Sequence, residues 1–316
     1  MKKRMSSQNS QDTQSLSLIF ILIVYHINLS SAQVQFCYSD AEGCGPETLA
    51  WGGTCHTGTH QSPIDLPFVP QYSPPIHLNL DNYKGSSFRI QNTGHTASID
   101  FIGVGGPSTT PLPFPDPTTG QIRYYNFVSA HFHWGRTDQD GSEHCVQGNC
   151  AAMELHLVHV LSQYGNQADA VASGDPNGLS VLGVFIETSV GNNHFSTEDE
   201  NVDALTPIVR HLKEIVVADN KTFIEIDEPL DFTPMVKHTA LLKLPVDVFT
   251  YKGSLTSPQC NEQVNWYVMG SPALTSGSNV EAFRFTLTDA RGKVIRENHR
   301  PRQALNGRQV KLQLNS

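Results

Sequence analysis

Two short segments place three histidines where neighbouring strands would bring them together. In Ala130-His131-Phe132-His133-Trp134-Gly135, side chains two apart on a strand share a face. His131 and His133 therefore project together, while Phe132 and Trp134 point the other way. Two imidazoles on one face suit a small tetrahedral metal centre. The second segment, Met153-Glu154-Leu155-His156-Leu157-Val158-His159-Val160, sets Glu154, His156, Val158 and Val160 on one face and His159 on the other. Both faces are apolar apart from the Glu and His residues, as in a central strand. A buried glutamate is costly unless hydrogen-bonded, and beside a metal-bound histidine it can accept the imidazole's other N–H. His156 is thus the expected third ligand and His159 a core histidine. Three neutral histidines with an open fourth position describe a catalytic zinc rather than a structural one. The sequence holds no His-Glu-x-x-His, Gly-x-Ser-x-Gly, P-loop or Rossmann fingerprint.

These strands need a sheet around them. Other β-type runs lie at Ser87–Gln91, Ala97–Val104, Tyr124–Trp134, Ser180–Thr188, Val264–Met269 and Phe283–Thr288. The clearest helix spans Thr197–Val217: Thr197 and Glu200 form a capping box, and Leu205, Ile208, Leu212 and Ile215 recur at helical spacing. Pro207 sits in the first turn of its stronger half. Gly105–Gly120 contains five prolines and reads as a surface loop, neither helix nor inner strand. Tyr164–Gly178 reads as a second loop. No repeat or low-complexity linker divides the chain, so one predominantly β domain is expected.

The 316 residues are 38% hydrophobic and 16% charged, with a net charge of −9. The apolar content suffices for a core, and charged content sits well below the usual quarter, which excludes bulk disorder. The acidic balance excludes a nucleic-acid partner. Lys2, Lys3 and Arg4, the apolar run Leu16–Leu29 and the small residues Ser30-Ser31-Ala32 make residues 1–32 an export signal. That run is too short to span a bilayer, so no transmembrane segment is expected. Residues 33–316 then form an acidic secreted domain. The six cysteines suit an oxidising compartment, with fifteen connectivities open. Asn220-Lys-Thr222 is a glycosylation sequon.

Taken together, the chain resembles an α-class carbonic anhydrase over nearly all of its mature length. The motifs run in family order: Gln61-Ser-Pro-Ile-Asp-Leu66, Asn92-Thr-Gly-His95, His131-Phe-His-Trp-Gly135, Gly141-Ser-Glu-His144, Glu154-Leu-His156-Leu-Val-His159, Tyr251-Lys-Gly-Ser-Leu-Thr-Ser-Pro258 and Arg300-Pro301. The resemblance implies a mainly β domain around a large, mostly antiparallel twisted sheet with short surface helices. It implies Zn2+ on His131, His133 and His156 at the foot of a conical cleft. It implies reversible hydration of carbon dioxide to bicarbonate and a proton by zinc-bound hydroxide. This family is itself the standard example of a three-histidine zinc that brings water's pKa to about 7.

By the same resemblance Thr256 accepts from the zinc-bound solvent and passes its own proton to Glu143. Val158, Val181, Leu255 and Trp266 form the apolar substrate wall, with the Thr256 backbone and Ser257 beside them. His95 is the proton shuttle, an imidazole suited to work near neutrality. Tyr38, Thr93 and Ser98 line the solvent path, the last two in places where asparagines are common. Glu154 and Asn298 support zinc ligands. Ser129 stands where a glutamine usually fixes the first zinc histidine, and His299 where tryptophan usually follows the asparagine. Weaker zinc retention is the expectation.

The cysteines resemble the extracellular type-four branch, which implies Cys37 with Cys44 and Cys55 with Cys260. Members of that branch usually carry a GPI-directing tail, so a cell-surface form with a longer C-terminus is one expectation and a secreted monomer the other. Cys145 and Cys150 fall outside the pattern and flank a four-residue turn, which suits a hairpin disulfide. A catalytically silent binding ectodomain is the competing class. Silent relatives typically lack a zinc histidine, and here all three are present with Thr256 and Glu143.

Overall fold

The computed structural model describes residues 36–39, 42–69, 72–81, 83–102, 110–188, 204–219, 223–237 and 246–315. The expected export signal, the Thr197/Glu200 capping pair and the Asn220 sequon lie outside these residues.

In chain order the strands are β1 (Asp65–Leu66), β2 (Lys84–Gly85), β3 (Ser87–Asn92), β4 (Ala97–Ile102), β5 (Leu112–Pro115), β6 (Ile122–Trp134), β7 (Cys145–Val146), β8 (Asn149–Cys150), β9 (Met153–Leu161), β10 (Leu179–Thr188), β11 (Ile224–Ile226), β12 (Leu230–Asp231), β13 (Val246–Gly253), β14 (Val264–Thr275) and β15 (Lys311–Asn315). The helices are α1 (Gln167–Ser173), α2 (Thr206–His211), α3 (Thr233–Val236) and α4 (Gly277–Thr286). Among the described residues ten strands make one sheet, ordered β11-β3-β4-β6-β9-β10-β14-β13-β15, with β5 paired to β6. The β10–β14 pair is parallel, and the other ladders of this sheet are antiparallel. The fold is mainly β, as expected.

At the middle of this sheet, every residue of β9 is buried. Leu155 and Leu157 join a core with Phe132, Leu182, Tyr267 and Phe283 on one face. Val158 and Val160 join Val181, Tyr251 and Trp266 on the other. Each fully buried side chain of this size contributes about 1.5–3 kcal/mol relative to exposure, so the register of β9 is strongly specified. That register places His156 opposite His131 and Glu154 opposite His133.

The partner strand β6 reaches the same register through a bulge. Phe127 pairs with His159 and Ser129 with Val158, leaving Val128 as an extra residue. One extra residue inverts the alternation of faces. Before it Tyr125 and Phe127 enter the large core; after it Ala130, Phe132 and Trp134 do. The bulge thereby turns Ser129, His131 and His133 onto the opposite face.

Several expected elements differ. Phe283–Thr288 is not a strand: Phe283 lies in α4, where the Ser276 side chain caps by accepting from the Asn279 N–H. Val280, Phe283 and Leu287, three and four apart, are buried on its inner face. Within the expected loop Tyr164–Gly178 sits α1, capped by Asn166 and ended by Gly174 at φ 70°. The long helix is shorter among the described residues, with α2 tightening into a 3-10 turn at Leu212–Glu214. Part of the proline-rich loop is β5, whose Leu112 and Phe114 are buried while Pro113 and Pro115 fit because, among the described residues, β5 pairs with β6 alone. Strand β13 carries Tyr251 and was not expected as a strand.

Candidate metal centre

His131, His133 and His156 meet at the floor of a cavity of about 230 Å3. Their available ligand nitrogens lie within 4.8 Å of one another. Their ring centroids are 5.1 Å (His131–His133), 5.1 Å (His131–His156) and 4.5 Å (His133–His156) apart.

Each of two rings is turned by a hydrogen bond on its far side. His133 donates from Nδ1 to the Asn298 carbonyl at 2.8 Å, and its Nε2 is buried with no hydrogen-bond partner. His156 donates from Nε2 to Glu154 Oε1 at 2.8 Å, leaving Nδ1 for the centre. A buried nitrogen without a partner is costly, and a metal ion is what such a nitrogen suits. Burial pushes the His131 imidazole down to about 3, the nearby His156 acting in the same direction. Burial also drives His133 well below its ordinary value. Both rings are neutral at pH 7, with lone pairs free to bind. The donor set fits zinc.

Behind the ligands runs a buried chain of donors and acceptors. Glu154 takes the His144 backbone N–H on Oε2 and the His144 Nδ1–H on Oε1, both at 2.8 Å. Tyr251 donates its hydroxyl to His144 Nε2 at 2.6 Å, and Ser62 stands 2.8 Å from the same hydroxyl. Burial would raise the Glu154 carboxyl, but the His144 and His156 imidazoles outweigh it and hold that group well below the carboxylate range. Gly183 makes room for the arrangement: a Cβ there would lie 2.9 Å from Glu154 Oε1. His144, Tyr251 and Gly183 were given no role from the sequence. His159, on the other face of β9, bonds Tyr83 and stays in the core as expected.

The cavity lining is mixed: the apolar Val158, Val181, Leu255 and Trp266 share it with Thr93, Ser98, Ser129, Thr256 and Ser257. Tyr38 and His95 stand there too, together with Phe36, Thr96 and Gln167, which the sequence reading missed. Thr96 had a local signal, a hydroxyl two residues from Ser98, which was itself expected at the site; its Oγ1 donates to the Phe132 carbonyl at 2.6 Å and pins β4 to β6. Asn298 reaches further than expected, donating to the carbonyls of Phe132 and His95. Ser129 makes no hydrogen bond to His131 among the described residues, and it sits opposite Val158 in the ladder.

Glu143 is fully buried and accepts the Arg300 backbone N–H at 2.9 Å. Burial pushes its carboxyl up to about 8, against the pull of the Thr256 hydroxyl and the Arg300 N–H. Its Oε2 has no full hydrogen bond, so Thr256 approaches without closing one. Burial therefore favours the neutral carboxyl when no metal is near, and a dication at the histidines favours its ionised form. Zinc binding at pH 7 will release more protons from the native chain than from Glu143→Gln. Calorimetry in buffers of different ionisation enthalpy measures this, and equal release from the two proteins would contradict it.

A family model described as eukaryotic-type carbonic anhydrase matches residues 45–314. The chain belongs to that family. It is 31% identical to carbonic anhydrase 6 of Bos taurus, over 93% of this chain and 84% of the relative. It is 33% identical to mitochondrial carbonic anhydrase 5A of Rattus norvegicus (88% and 86%) and to carbonic anhydrase 7 of Mus musculus (87% and 96%). The protein is accordingly a zinc lyase that interconverts carbon dioxide and bicarbonate. None of these relatives is named as type four, so the expected branch gives way to membership of the family as a whole. Three disulfides, Cys37–Cys44, Cys55–Cys260 and Cys145–Cys150, are closed. They suit an extracellular setting. No helix among the described residues is long and apolar enough to cross a membrane.

Proposed function

We propose that this chain is an exported carbonic anhydrase in which His95, Thr256 and Glu143 take the roles that the family motifs assign. The observation that carries the reading is the buried, partnerless His133 Nε2, aimed with His131 and His156 into a half-apolar cavity. Zinc held there supplies a Lewis acid that makes water nucleophilic near neutral pH. Val158, Val181, Leu255 and Trp266 offer nonpolar carbon dioxide a surface that water does not favour. Thr256 would donate its hydroxyl hydrogen to Glu143 and accept the O–H of the attacking water on its Oγ1, which orients that oxygen toward carbon. His95 carries the released proton toward the cavity mouth, past Tyr38, Thr93 and Ser98. Residues 1–32 act as the export signal, 33–316 as the mature enzyme and Asn220 as a glycan site.

Stopped-flow hydration of carbon dioxide by the zinc-loaded protein tests this reading. Catalysis far above the buffer rate is expected. Its absence would leave a silent binding ectodomain.

The shuttle carries a handicap. The Phe36 ring stacks on His95 with centroids 3.7 Å apart and planes at 10°, and burial pushes the imidazole down to about 4. Proton transfer is most efficient when the carrier titrates near the working pH. Phe36→Ala will expose the ring, raise its pKa toward the ordinary value of about 6.5 and increase turnover at low buffer concentration. An NMR titration of His95 that does not move would refute the stacking argument.

A further inference from the structure

The Cys145–Cys150 bridge closes a hairpin that belongs to none of the machinery described so far, yet its two ends lead straight to it. Glu143 and His144 immediately precede Cys145, and Ala151 to Glu154 immediately follow Cys150. Cys145 and Cys150 are directly opposed in the β7–β8 ladder, with Cα atoms 4.3 Å apart. The two arms leaving the bridge stay laced together. Gly141 and Ser142 donate their backbone N–H groups to the Ala151 carbonyl at 2.9 Å. Ala151 N–H donates to Ser142 Oγ at 2.9 Å, and that hydroxyl donates to the His144 carbonyl at 2.6 Å. The arms approach so closely that a Cβ on Gly141 would collide with the Ala152 carbonyl oxygen.

The hairpin's own turn does not hold this geometry. Its corner residues are Gln147 at φ 51° and Gly148 at φ 80°. Two-residue turns with both corners at positive φ favour Asn-Gly, and glutamine tolerates that conformation poorly. Beyond the bridge, its own short ladder and the lacing of its arms, the hairpin rests on a two-residue pairing with β1 and on N–H groups donated by Gln147 to the Leu66 carbonyl and by Gly148 to Asp65. Meanwhile Glu143 has one full hydrogen bond, from the Arg300 backbone, so its aim depends on the backbone of its own loop. His144 reaches the metal side through Glu154 and His156.

We propose that the Cys145–Cys150 disulfide is a positioning element of the metal centre: it clamps the loop that seats Glu143 and holds His144 against Glu154. The inference rests on the zinc reading above. Opening the clamp loosens the far-side support of His156 and the aim of Glu143 while leaving the sheet intact.

The test uses full-length protein and the double variant Cys145→Ala/Cys150→Ala. Loss of supporting partners of a metal ligand typically costs 10–100-fold in metal affinity. The variant should therefore lose zinc to a chelator about tenfold faster or more. The visible spectrum of its cobalt-substituted form and the pH profile of hydration should both shift. Adding Gln147→Asn supplies the turn that the hairpin lacks, and this triple variant should recover much of the retention; Cys145→Ser/Cys150→Ser replaces the double variant should that one not fold. Native chelator kinetics and an unchanged cobalt spectrum in the variant that lacks the bridge and keeps Gln147 would overturn the proposal, whatever happens to its melting temperature. Failure of native protein to take up cobalt, or equal uptake by His156→Ala, would instead strike the zinc reading itself.

Discussion

Replacing His156 by alanine will abolish stoichiometric zinc and lower carbon dioxide hydration by about a thousandfold or more. A three-histidine catalytic site has no spare protein ligand, and two imidazoles alone hold the ion far less firmly. Without the ion, water at neutral pH is a poor nucleophile, its pKa being about 15.7 rather than near 7. The loss spreads backward as well. His156 donates to Glu154 Oε1, and that carboxylate is fully buried. Alanine leaves it with the two His144 donors and one hydrogen bond fewer, a loss of about 1–3 kcal/mol for a buried charged group. Metal analysis, stopped-flow hydration and thermal denaturation check the three consequences. A variant that keeps one zinc per chain and near-native turnover would mean that His131, His133 and His156 are not the ligand set.

Periodicity sufficed for much of this centre and failed at identifiable points. Strand β9 is regular, so its alternation alone put Glu154 and His156 on one face and His159 on the other, as the hydrogen bonds to His156 and Tyr83 bear out. In β6 the His131/His133 face was legible because both lie beyond the Val128 bulge; a count begun at Tyr125 would have assigned the wrong face. Bulges are invisible to a two-residue pattern. The run Phe283–Thr288, expected as a strand, is rich in β-favouring side chains, yet the Ser276 cap draws most of it into α4. Tertiary context overrides propensity there. Tyr251 and Gly183 could not have been singled out from spacing, because their roles exist through partners 107 residues away (Tyr251 with His144) or through space left empty beside Glu154. Phe36 meets His95 from an N-terminal segment that the Cys37–Cys44 bridge folds back, a contact no local pattern encodes.

Glu154→Gln is expected to weaken zinc binding by about 10–100-fold while leaving all three ligands in place. The carboxylate is the meeting point of three donors: the His144 N–H on Oε2, and His144 Nδ1–H with His156 Nε2–H on Oε1. An amide can accept on one oxygen only, so its NH2 must face a donor whichever way it is turned. One N–H is then left buried without a partner, at a cost of about 1–3 kcal/mol. The charge goes too. In the native chain the imidazoles hold the Glu154 carboxyl well below the carboxylate range; a depressed folded pKa adds stability above the unfolded value of about 4.3 and loses it as pH falls below that. Glu154→Gln should therefore be less stable than native at pH 7, and the gap should narrow in acid. Gly183→Ala supplies a separate route to the same fault. Its Cβ would press on Glu154 Oε1 from 2.9 Å without altering any donor or charge. Faster zinc loss in both variants, measured against a chelator and alongside denaturation at pH 7 and at about pH 2, well below the unfolded carboxyl value, would tie metal retention to the seating of this carboxylate. Native retention in Glu154→Gln would show that His156 is held by packing alone.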